Sequence, residues 1–332
     1  CFSEVIERYP EHPAGYFLDA MVEYWKITLY RRTKRFDEAF LEKIESVIDL
    51  CNKHLEKNPF DIKYLFFKGG ALGYRGRYYA TRRSWLNAVS DGKEGFDILR
   101  KCHQIAPGNH DIMLGTGTYN YFAEALPEDY PFLKPLMVFL PKGDKTIGRL
   151  QLHASAEHAR YAGTEAEVVL LQIYYNFEKN SQMSVRTAEK LHEKYPDNPY
   201  FHRYLGRSYV IAGNWEKFEE TWREVVKRCI AEKTGYDFLT MREGCYYVGT
   251  ALNRKGDYEA ALKYLKKSVE GSEYLDEDDE ESGFMVKANL KIARIYKRLN
   301  RHDMAKKYYR RLLDMRDYGG SHKAAKTYLG EL

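Results

Sequence analysis

Histidine and cysteine are the residue types in this sequence that could hold a metal ion, and their spacing decides whether they can act together. The sequence has 10 His and 5 Cys among 332 residues. His153 and His158 are five apart, which places them on different faces of a helix, whereas zinc-binding pairs on a helix are four apart. Cys102 and His103 are adjacent and cannot both easily reach one ion from a helix. We therefore predict no metal site and expect no cofactor.

Motifs for nucleophilic, phosphate or nucleotide chemistry are also missing from the sequence. It contains no nucleophile elbow, no Walker sequence and no paired-carboxylate signature. The GTG at residues 115–117 is not a dinucleotide loop because no strand pattern precedes it, and we expect it to let two helices approach closely. The cysteines lie far apart without a CxxC pair, so neither a disulfide framework nor a thiolate zinc site is indicated. We predict that the protein is not an enzyme and has no catalytic residue.

Charge and hydropathy restrict the partners that the chain could have. The longest apolar runs, at 135–141 and 168–175, fall short of the roughly 20 residues that cross a bilayer, so we predict no membrane span. The net charge of +5 is modest for this length and disfavours nucleic acid as a partner. An RNA-binding alternative stays open for two reasons. Residues 284–332 hold 13 Lys and Arg against 4 Asp and Glu, and the segment GYRGRYYATRR alternates basic with aromatic residues. The acidic run DEDDEE at 276–281 predicts a solvated loop.

Small and large apolar residues recur along the chain in similar units, of which one, from Glu165 to Pro199, spans the 34 residues of a known helical repeat. The next units begin 43 residues after Pro199, at Arg242, and 44 residues after that, at Val286, so the segments between units are expanded. The unit that begins at Pro199 shows the pattern most completely, at Leu205, Gly206, Tyr209, Gly213, Trp215, Phe218, Trp222 and Val225. Further copies fit at Val248, Gly249, Leu252, Gly256 and Tyr258, at Ile292, Ala293, Tyr296, Ala305 and Tyr309, and earlier at Gly69, Leu72, Gly76, Tyr78 and Trp85. The pattern predicts pairs of antiparallel helices that bury their apolar faces only by stacking.

Each predicted pair needs a small residue in its first helix and a large residue in its second. The small residues are Gly206, Gly249 and Ala293, and the large residues opposite them are Trp222, Leu265 and Tyr309. Gly213 and Gly256 are expected to end the first helix, where a positive φ favours glycine.

These residues closely resemble the tetratricopeptide-repeat family, above all between Leu171 and Trp222. The resemblance implies an all-α, right-handed α-solenoid of about six to seven helix pairs that binds partners instead of catalysing a reaction. The segment GGALGYRGRYYATRRSWLNAVSDG, with YNYF and LPKGD, also resembles a group of bacterial tetratricopeptide proteins whose role is unassigned. That second resemblance implies no activity.

We predict a single solenoid over 1–332, with helix pairs in 1–126, an insertion at 127–144, further repeats in 145–317 and a capping helix at 318–332. The insertion contains four prolines around an apolar middle, and we expect it to pack on the helices. It also carries our alternative function, a small-ligand or enzymatic site. Phe2, Val5 and Pro10 fit a second helix, so we expect its partner upstream of Cys1. A leader would lie there too, which leaves a cytoplasmic and a periplasmic location equally open.

The family resemblance also implies which residues meet a partner, since the first helix of each pair lines the groove. The positions that correspond are Arg203, Arg207, Tyr246, Tyr247, Lys287, Lys291 and Arg294. Basic residues and asparagines at such places grip a terminal carboxylate in some members of the family, but here Tyr247 replaces the middle asparagine. We expect a protein or peptide partner, which this groove would suit best if it carries an acidic or carboxylate group. The alternative is that these are solvated helix faces with ion pairs of small energetic weight.

Overall fold

The computed structural model of the chain describes residues 2–138, 140–276 and 281–331. In these ranges all regular structure is helical and no β-strand occurs, which confirms the predicted all-α fold. The described residues divide into two compact units, of which unit 1 ends at Thr187 and unit 2 begins at Ala188. Within each unit successive helices pack on one another in pairs, as in an α-solenoid.

Unit 1 is built from three helix pairs and the start of a fourth. Its helices are α1 Phe2–Arg8, α2 Pro13–Leu29, α3 Asp37–Leu55, α4 Ile62–Thr81, α5 Trp85–Ile105, α6 Ile112–Asp129, α7 Lys134–Met137, α8 Lys145–His158, α9 Gly163–Gln172 and the first half of α10 Ser181–Lys194. The pairs are α2 with α3, α4 with α5, and α6 with α8. A π-helical turn, Ile173–Phe177, extends α9.

The predicted insertion at 127–144 lies between the two helices of the α6–α8 pair. Helices resume at Lys145 as expected, because the Asp144 side chain accepts a hydrogen bond from Ile147 N at 2.8 Å and so caps α8. The expected packing of its apolar residues is found only in part. Leu133 is 1% exposed, but Phe132 is 58% and Val138 is 71% exposed. The domain boundaries around this segment stay a prediction.

Unit 2 continues with more regular pairs. After the end of α10, its helices are α11 Pro199–Ala212, α12 Trp215–Ile230, α13 Phe238–Lys255, α14 Tyr258–Leu275, α15 Gly283–Arg298, α16 His302–Leu313 and α17 Ser321–Leu329. A Cβ on Gly206 would lie 2.5 Å from Trp222 Nε1, and one on Gly249 would lie 2.8 Å from Leu265 Cγ. The predicted pairing of small with large residues is therefore confirmed at both places.

The turn inside these pairs follows from two adjacent residues. Gly213 and Gly256 end α11 and α13 with φ of +68° and +84°, as predicted. The next residues, Asn214 and Asp257, accept hydrogen bonds from backbone amides of the second helix, Lys217 N and Ala260 N. A left-handed glycine followed by a capping side chain reverses the chain in very few residues.

The prediction for the acidic run at 276–281 is wrong at its first residue. Asp276 Oδ1 accepts a hydrogen bond of 2.8 Å from Arg242, and these side chains are only 8% and 6% exposed. A carboxylate that pairs with a guanidinium can be buried. The prediction considered only the charge of the run, which favours exposure to solvent. Residues 277–280 lie outside the described residues.

Candidate functional site: a cation–aromatic face in unit 2

Five of the seven predicted groove residues come together in unit 2. Lys287, Lys291 and Arg294 follow one another on α15 at spacings of four and three, which places them on one face of the helix. Tyr246 and Tyr247 on α13 lie beside them, and Phe284 in the first turn of α15 joins the group. The Lys291 Nζ lies 5.7 Å from the centre of the Tyr246 ring. We call these six residues the cation–aromatic face.

Aromatic contacts fix the α13 side of this face. The Tyr246 ring is 8% exposed and meets the Phe284 ring edge-on at 5.3 Å. The Tyr247 ring stacks on Trp222 at 4.5 Å, so it is anchored to the buried side chain that fills the pair before it. Burial raises the pKa of Tyr246 to about 12, which keeps its hydroxyl neutral. Tyr246 is therefore a rigid, uncharged ring that packs between α13 and α15.

The apolar side of α15 holds the three cations in place. Val286, Ile292 and Ala293 are fully buried, so the opposite side of the helix is fixed toward the surface. The Ser282 side chain accepts a hydrogen bond of 3.2 Å from Met285 N and defines where α15 begins. Lys287 and Arg294 are exposed and Lys291 is half-buried.

The electrostatics of the face favour an anion. Within the described ranges, none of the three cations lies within ion-pair distance of a carboxylate. Burial lowers the pKa of Lys291, and the positive charges of Arg294 and Lys287 lower it further. Like charges on one helix face repel one another, and a bound anion would relieve this repulsion.

Arg203 and Arg207 do not join this face, and the expectation that both project toward a partner is wrong. Arg203 is 2% exposed, and its Nε donates to Pro199 O of its own helix at 3.2 Å. Arg207 donates through Nε and Nη2 to the two oxygens of Glu243, which is completely buried. Burial opposes the charge of Arg207, yet the attraction of Glu243 raises its pKa above the ordinary value. Both arginines are used inside unit 2.

Glu243 is the residue that decides this outcome, and it was missed in the sequence. It lies 36 residues after Arg207 on α13, the first helix of the next pair, whereas Gly206 and Gly249 set these two helices 43 residues apart, so aligning the repeats does not place the two charges together. Arg242 of α13 and Asp276, which caps α14, form a second ion pair within one helix pair. The first ion pair therefore joins neighbouring helix pairs, and the second joins the two helices of one pair.

A second feature is a cleft of about 300 Å³ in unit 1 beside the insertion at 127–144. It is lined by Tyr121, Ala125, Glu128, Asp129, Lys145, Thr146, Arg149, Phe177 and Glu178. Lys145 pairs with Glu128, and Arg149 pairs with Glu178 at 2.9 Å. Its charges thus largely satisfy one another, and the lining is more polar than that of a usual small-molecule pocket.

The described residues contain neither a reactive thiol nor a membrane-spanning helix. Cys51, Cys102, Cys229 and Cys245 are free and buried, and burial raises the pKa of each thiol, to about 12 for Cys51 and Cys229 and to about 11 for the other two. Within the described part of the chain, no three His, Cys, Asp or Glu side chains come together as a metal-binding group. Each described helix is too short or too polar to cross a bilayer.

Comparison with known proteins agrees with this architecture. The model of the tetratricopeptide-repeat family matches residues 243–270 and 286–317, which cover most of α13–α14 and α15–α16. The structure of PilF from Pseudomonas aeruginosa is similar, with 14% identity, a TM-score of 0.50, and coverage of 80% of this chain and 97% of that one. So is the carboxy-terminal part of a tetratricopeptide-repeat protein from Cytophaga hutchinsonii, with 14% identity, a TM-score of 0.51, and coverage of 85% and 94%. No curated protein matches the sequence. The glycine turns and the helix pairs thus agree with the matched family, and residues 243–270 and 286–317 of this chain match tetratricopeptide repeats.

Proposed function

We propose that the protein is a non-enzymatic scaffold for protein interactions and that unit 2 binds an acidic segment of a partner on the cation–aromatic face. Stacked helix pairs typically offer extended surfaces for protein or peptide partners. The observation that carries the finer proposal is the set of three cations on α15 without a carboxylate among the described residues.

Several cations in unit 2 have internal carboxylate partners, unlike the three of this face. Arg207 is held by Glu243, Arg242 by Asp276 and Arg223 by Glu219 at 2.9 Å. Those pairs join or stabilise helices of the unit itself. Lys287 and Lys291 contact aromatic rings, at 4.9 Å from Tyr318 and 5.7 Å from Tyr246, which leave their positive charge unneutralised and so able to attract an anionic ligand.

The chemistry of the face defines the segment that would bind. Two or more carboxylates spaced along an extended or helical segment would meet the cations, and an apolar side chain would contact Tyr246 and Phe284. Binding of an anion would raise the pKa of Lys291, because the negative charge offsets the positive charges of Arg294 and Lys287 that lower it.

The experiment measures binding of a fluorescein-labelled glutamate-rich peptide that contains one Phe, by fluorescence anisotropy. We expect Lys287→Glu, Lys291→Glu and Arg294→Glu together to weaken binding about tenfold or more. A matched triple, Lys306→Glu, Lys307→Glu and Arg310→Glu, changes three exposed cations of α16 by the same charge. It should bind nearly as wild type does.

Equal loss of binding in the two triples would show that only net charge matters and would overturn the assignment of this face. The same conclusion would follow if neither triple changed the affinity. A Gln-for-Glu version of the peptide supplies the ligand control, and raising the salt concentration should weaken only the glutamate peptide. Arg203 and Arg207 are unsuitable positions for this test, because their burial would make any reversal a change in folding.

The alternative is a small-ligand or enzymatic site at 127–144, supported by the cleft that Glu128 and Asp129 line. Native mass spectrometry of the purified protein would detect a co-purifying molecule. A ligand that is lost with Arg149→Ala would favour this alternative over the scaffold, since Arg149 lies in unit 1 and away from α15 in sequence.

A further inference from the structure

Two histidine rings are packed against each other inside unit 2. His192 lies near the end of α10 and His202 in the first turns of α11. Their ring centres are 4.5 Å apart and their planes differ by 24°, which is a stacked arrangement. His202 is 2% exposed. Neither ring belongs to the cation–aromatic face.

A chain of hydrogen bonds joins Arg228, Tyr236 and His202. Arg228 Nη1 donates to the hydroxyl oxygen of Tyr236 at 3.2 Å. His202 Nδ1 lies 3.0 Å from the same oxygen, and when neutral His202 carries its proton on Nε2, the Tyr236 hydroxyl donates to Nδ1. Burial raises the pKa of Tyr236, so its hydroxyl keeps the proton that it donates.

Adding a proton to either ring breaks this arrangement. Protonated at Nδ1, His202 would become a donor, and the proton of Tyr236 would lose its acceptor inside the unit. His192 Nδ1 is buried and has no hydrogen-bond partner among the described residues, so a proton there would be buried unsatisfied as well. In both cases the new positive charge lies in a cluster that already contains Arg228.

The charged groups around the rings give the same direction. Arg228 on α12 donates to Glu224 at 3.1 Å and to Asp197 at 3.1 Å, so its charge is held in place. Burial, His192 and Arg228 lower the pKa of His202 to about 3. Burial and Arg228 also lower the pKa of His192, whereas the exposed Asp197 carboxylate acts in the opposite sense.

We propose that the His192–His202–Tyr236–Arg228 cluster is an acid-sensitive joint, whose protonation releases α11 from α10 and α12 within unit 2. At neutral pH the stacked rings and the hydrogen-bond chain connect three helices and the segment before α13. In acid His192 and His202 are protonated in the unfolded or opened form but stay neutral in the closed form. Stability is therefore complete above the ordinary histidine pKa of 6.5 and is lost progressively below it.

The first experiment compares chemical unfolding of the full chain at about pH 7.5 and about pH 5. His202 alone should raise the unfolding equilibrium constant roughly thirtyfold over this interval, because the open form binds a proton and the closed form does not. His192→Gln with His202→Gln should remove that part of the pH dependence. The matched control is His302→Gln, an exposed histidine of unit 2, which should leave it unchanged.

The second experiment needs no variant and measures hydrogen exchange of backbone amides, corrected for the intrinsic effect of pH on exchange. Between neutral pH and pH of about 5, α11 should lose protection earlier than α14 does. The proposal is overturned if α11 and α14 lose protection in parallel. It is equally overturned if the double variant folds and keeps the pH dependence of the wild type.

Discussion

Units 1 and 2 share a fold but bring their helices together by different packing. In unit 2 a glycine faces a large side chain, as Gly206 faces Trp222. Unit 1 has this packing too, since a Cβ on Gly69 would lie 2.7 Å from Leu99 Cγ, but there glycine also faces glycine: a Cβ on Gly148 of α8 would lie 2.7 Å from Gly117 O of α6, and one on Gly95 of α5 would lie 3.0 Å from Gly69 O of α4. The first packing needs side chains to fill a space, whereas the second lets backbones touch. The same helix pair can therefore be specified by two different sequence patterns.

The polar residues of the first helices also differ between the units. In unit 1, Trp25 Nε1 of α2 donates to Glu165 Oε1 of α9 at 3.1 Å, across 140 residues of sequence. Arg77 of α4 lies between them in sequence and its guanidinium is 5.8 Å from the Tyr74 ring. In unit 2, among the residues that the structure describes, Lys287, Lys291 and Arg294 of α15 have no carboxylate within ion-pair distance, and Lys287 and Lys291 contact aromatic rings instead. In unit 1 the polar side chains of Trp25, Arg77 and Glu165 thus interact with other residues of the same unit. This difference is why we propose partner binding for unit 2.

The difference in packing is tested most strongly by Gly148→Ala. Its new Cβ would lie 2.5 Å from Tyr121 N and 2.7 Å from Gly117 O, and these backbone atoms cannot move aside without separating α6 from α8. We expect a loss of about 3 kcal/mol or more in the free energy of unfolding, at the upper end for overpacking. Chemical denaturation followed by circular dichroism would measure it.

The control for this variant is Gly92→Ala on α5, where no atom lies within 4 Å of the added Cβ. There the change should stabilise by about 0.5–1 kcal/mol, because alanine favours helix over glycine. Similar stabilities for the two variants would mean that the backbones of α6 and α8 are not in contact.

The corresponding change in unit 2, Gly249→Ala, should cost less. The new Cβ would lie 2.8 Å from Leu265 Cγ, and a leucine side chain can turn partly away, although Leu265 is completely buried. We expect a loss of about 1–2 kcal/mol, measured in the same denaturation experiment. Adding Leu265→Val should recover part of the loss, since it removes volume where the alanine needs it. A cost as large as that of Gly148→Ala would contradict the distinction between the two packings.

The sequence predicted the fold well where side chains determine the packing. Gly206, Gly213, Gly249 and Gly256 all have the roles that the repeat pattern implies, because a glycine opposite a large residue or before a cap leaves a local signal. The glycine-to-glycine contacts of unit 1 leave a weaker signal, although the close approach expected for the GTG at 115–117 is confirmed at Gly117.

The candidate site was predicted less well, for a physical reason. Whether an arginine faces solvent depends on its partner on the next helix: Glu243 of α13 holds Arg207, whereas among the described residues no carboxylate lies within ion-pair distance of Lys291. The repeat pattern gives the position of a side chain on its helix but not its partner on the next helix. For the same reason His192 and His202, ten residues apart and in different helices, gave no signal of their contact.

The different use of polar groups in unit 1 is tested by Glu165→Gln. Burial raises the pKa of Glu165 above its ordinary 4.5, although Arg77 and the hydrogen bonds from Trp25 and Tyr74 oppose this. A carboxyl group whose pKa is higher in the folded than in the unfolded state contributes its full stabilisation of the fold at low pH. This contribution is lost as pH rises through the pKa of the folded state. The variant stays neutral, so its stability relative to wild type should rise between acid and neutral pH, as chemical denaturation at several pH values would measure.

The matched control is Glu157→Gln, an exposed carboxyl of α8, which should show no such trend. In the wild type, the contribution of Glu165 to stability falls as pH rises, whereas the contribution of the histidine cluster of unit 2 increases with pH. A wild type and Glu165→Gln pair whose stability difference is independent of pH would show that this carboxyl is as well solvated in the folded state as in the unfolded one.

The smallest expected effect concerns the turn that both units share. Lys179, between the π-helical turn and α10, has φ of +52°, and the next residue, Asn180, accepts a hydrogen bond from Met183 N at 3.0 Å. This is the turn of Gly213 and Asn214 with a lysine in the left-handed position. Lys179→Gly should therefore stabilise by a few tenths to about 1 kcal/mol, whereas Gly256→Ala should destabilise by about 1 kcal/mol. Thermal unfolding of both variants measures the pair, and a destabilised Lys179→Gly would mean that backbone strain is not what distinguishes this turn from those of unit 2.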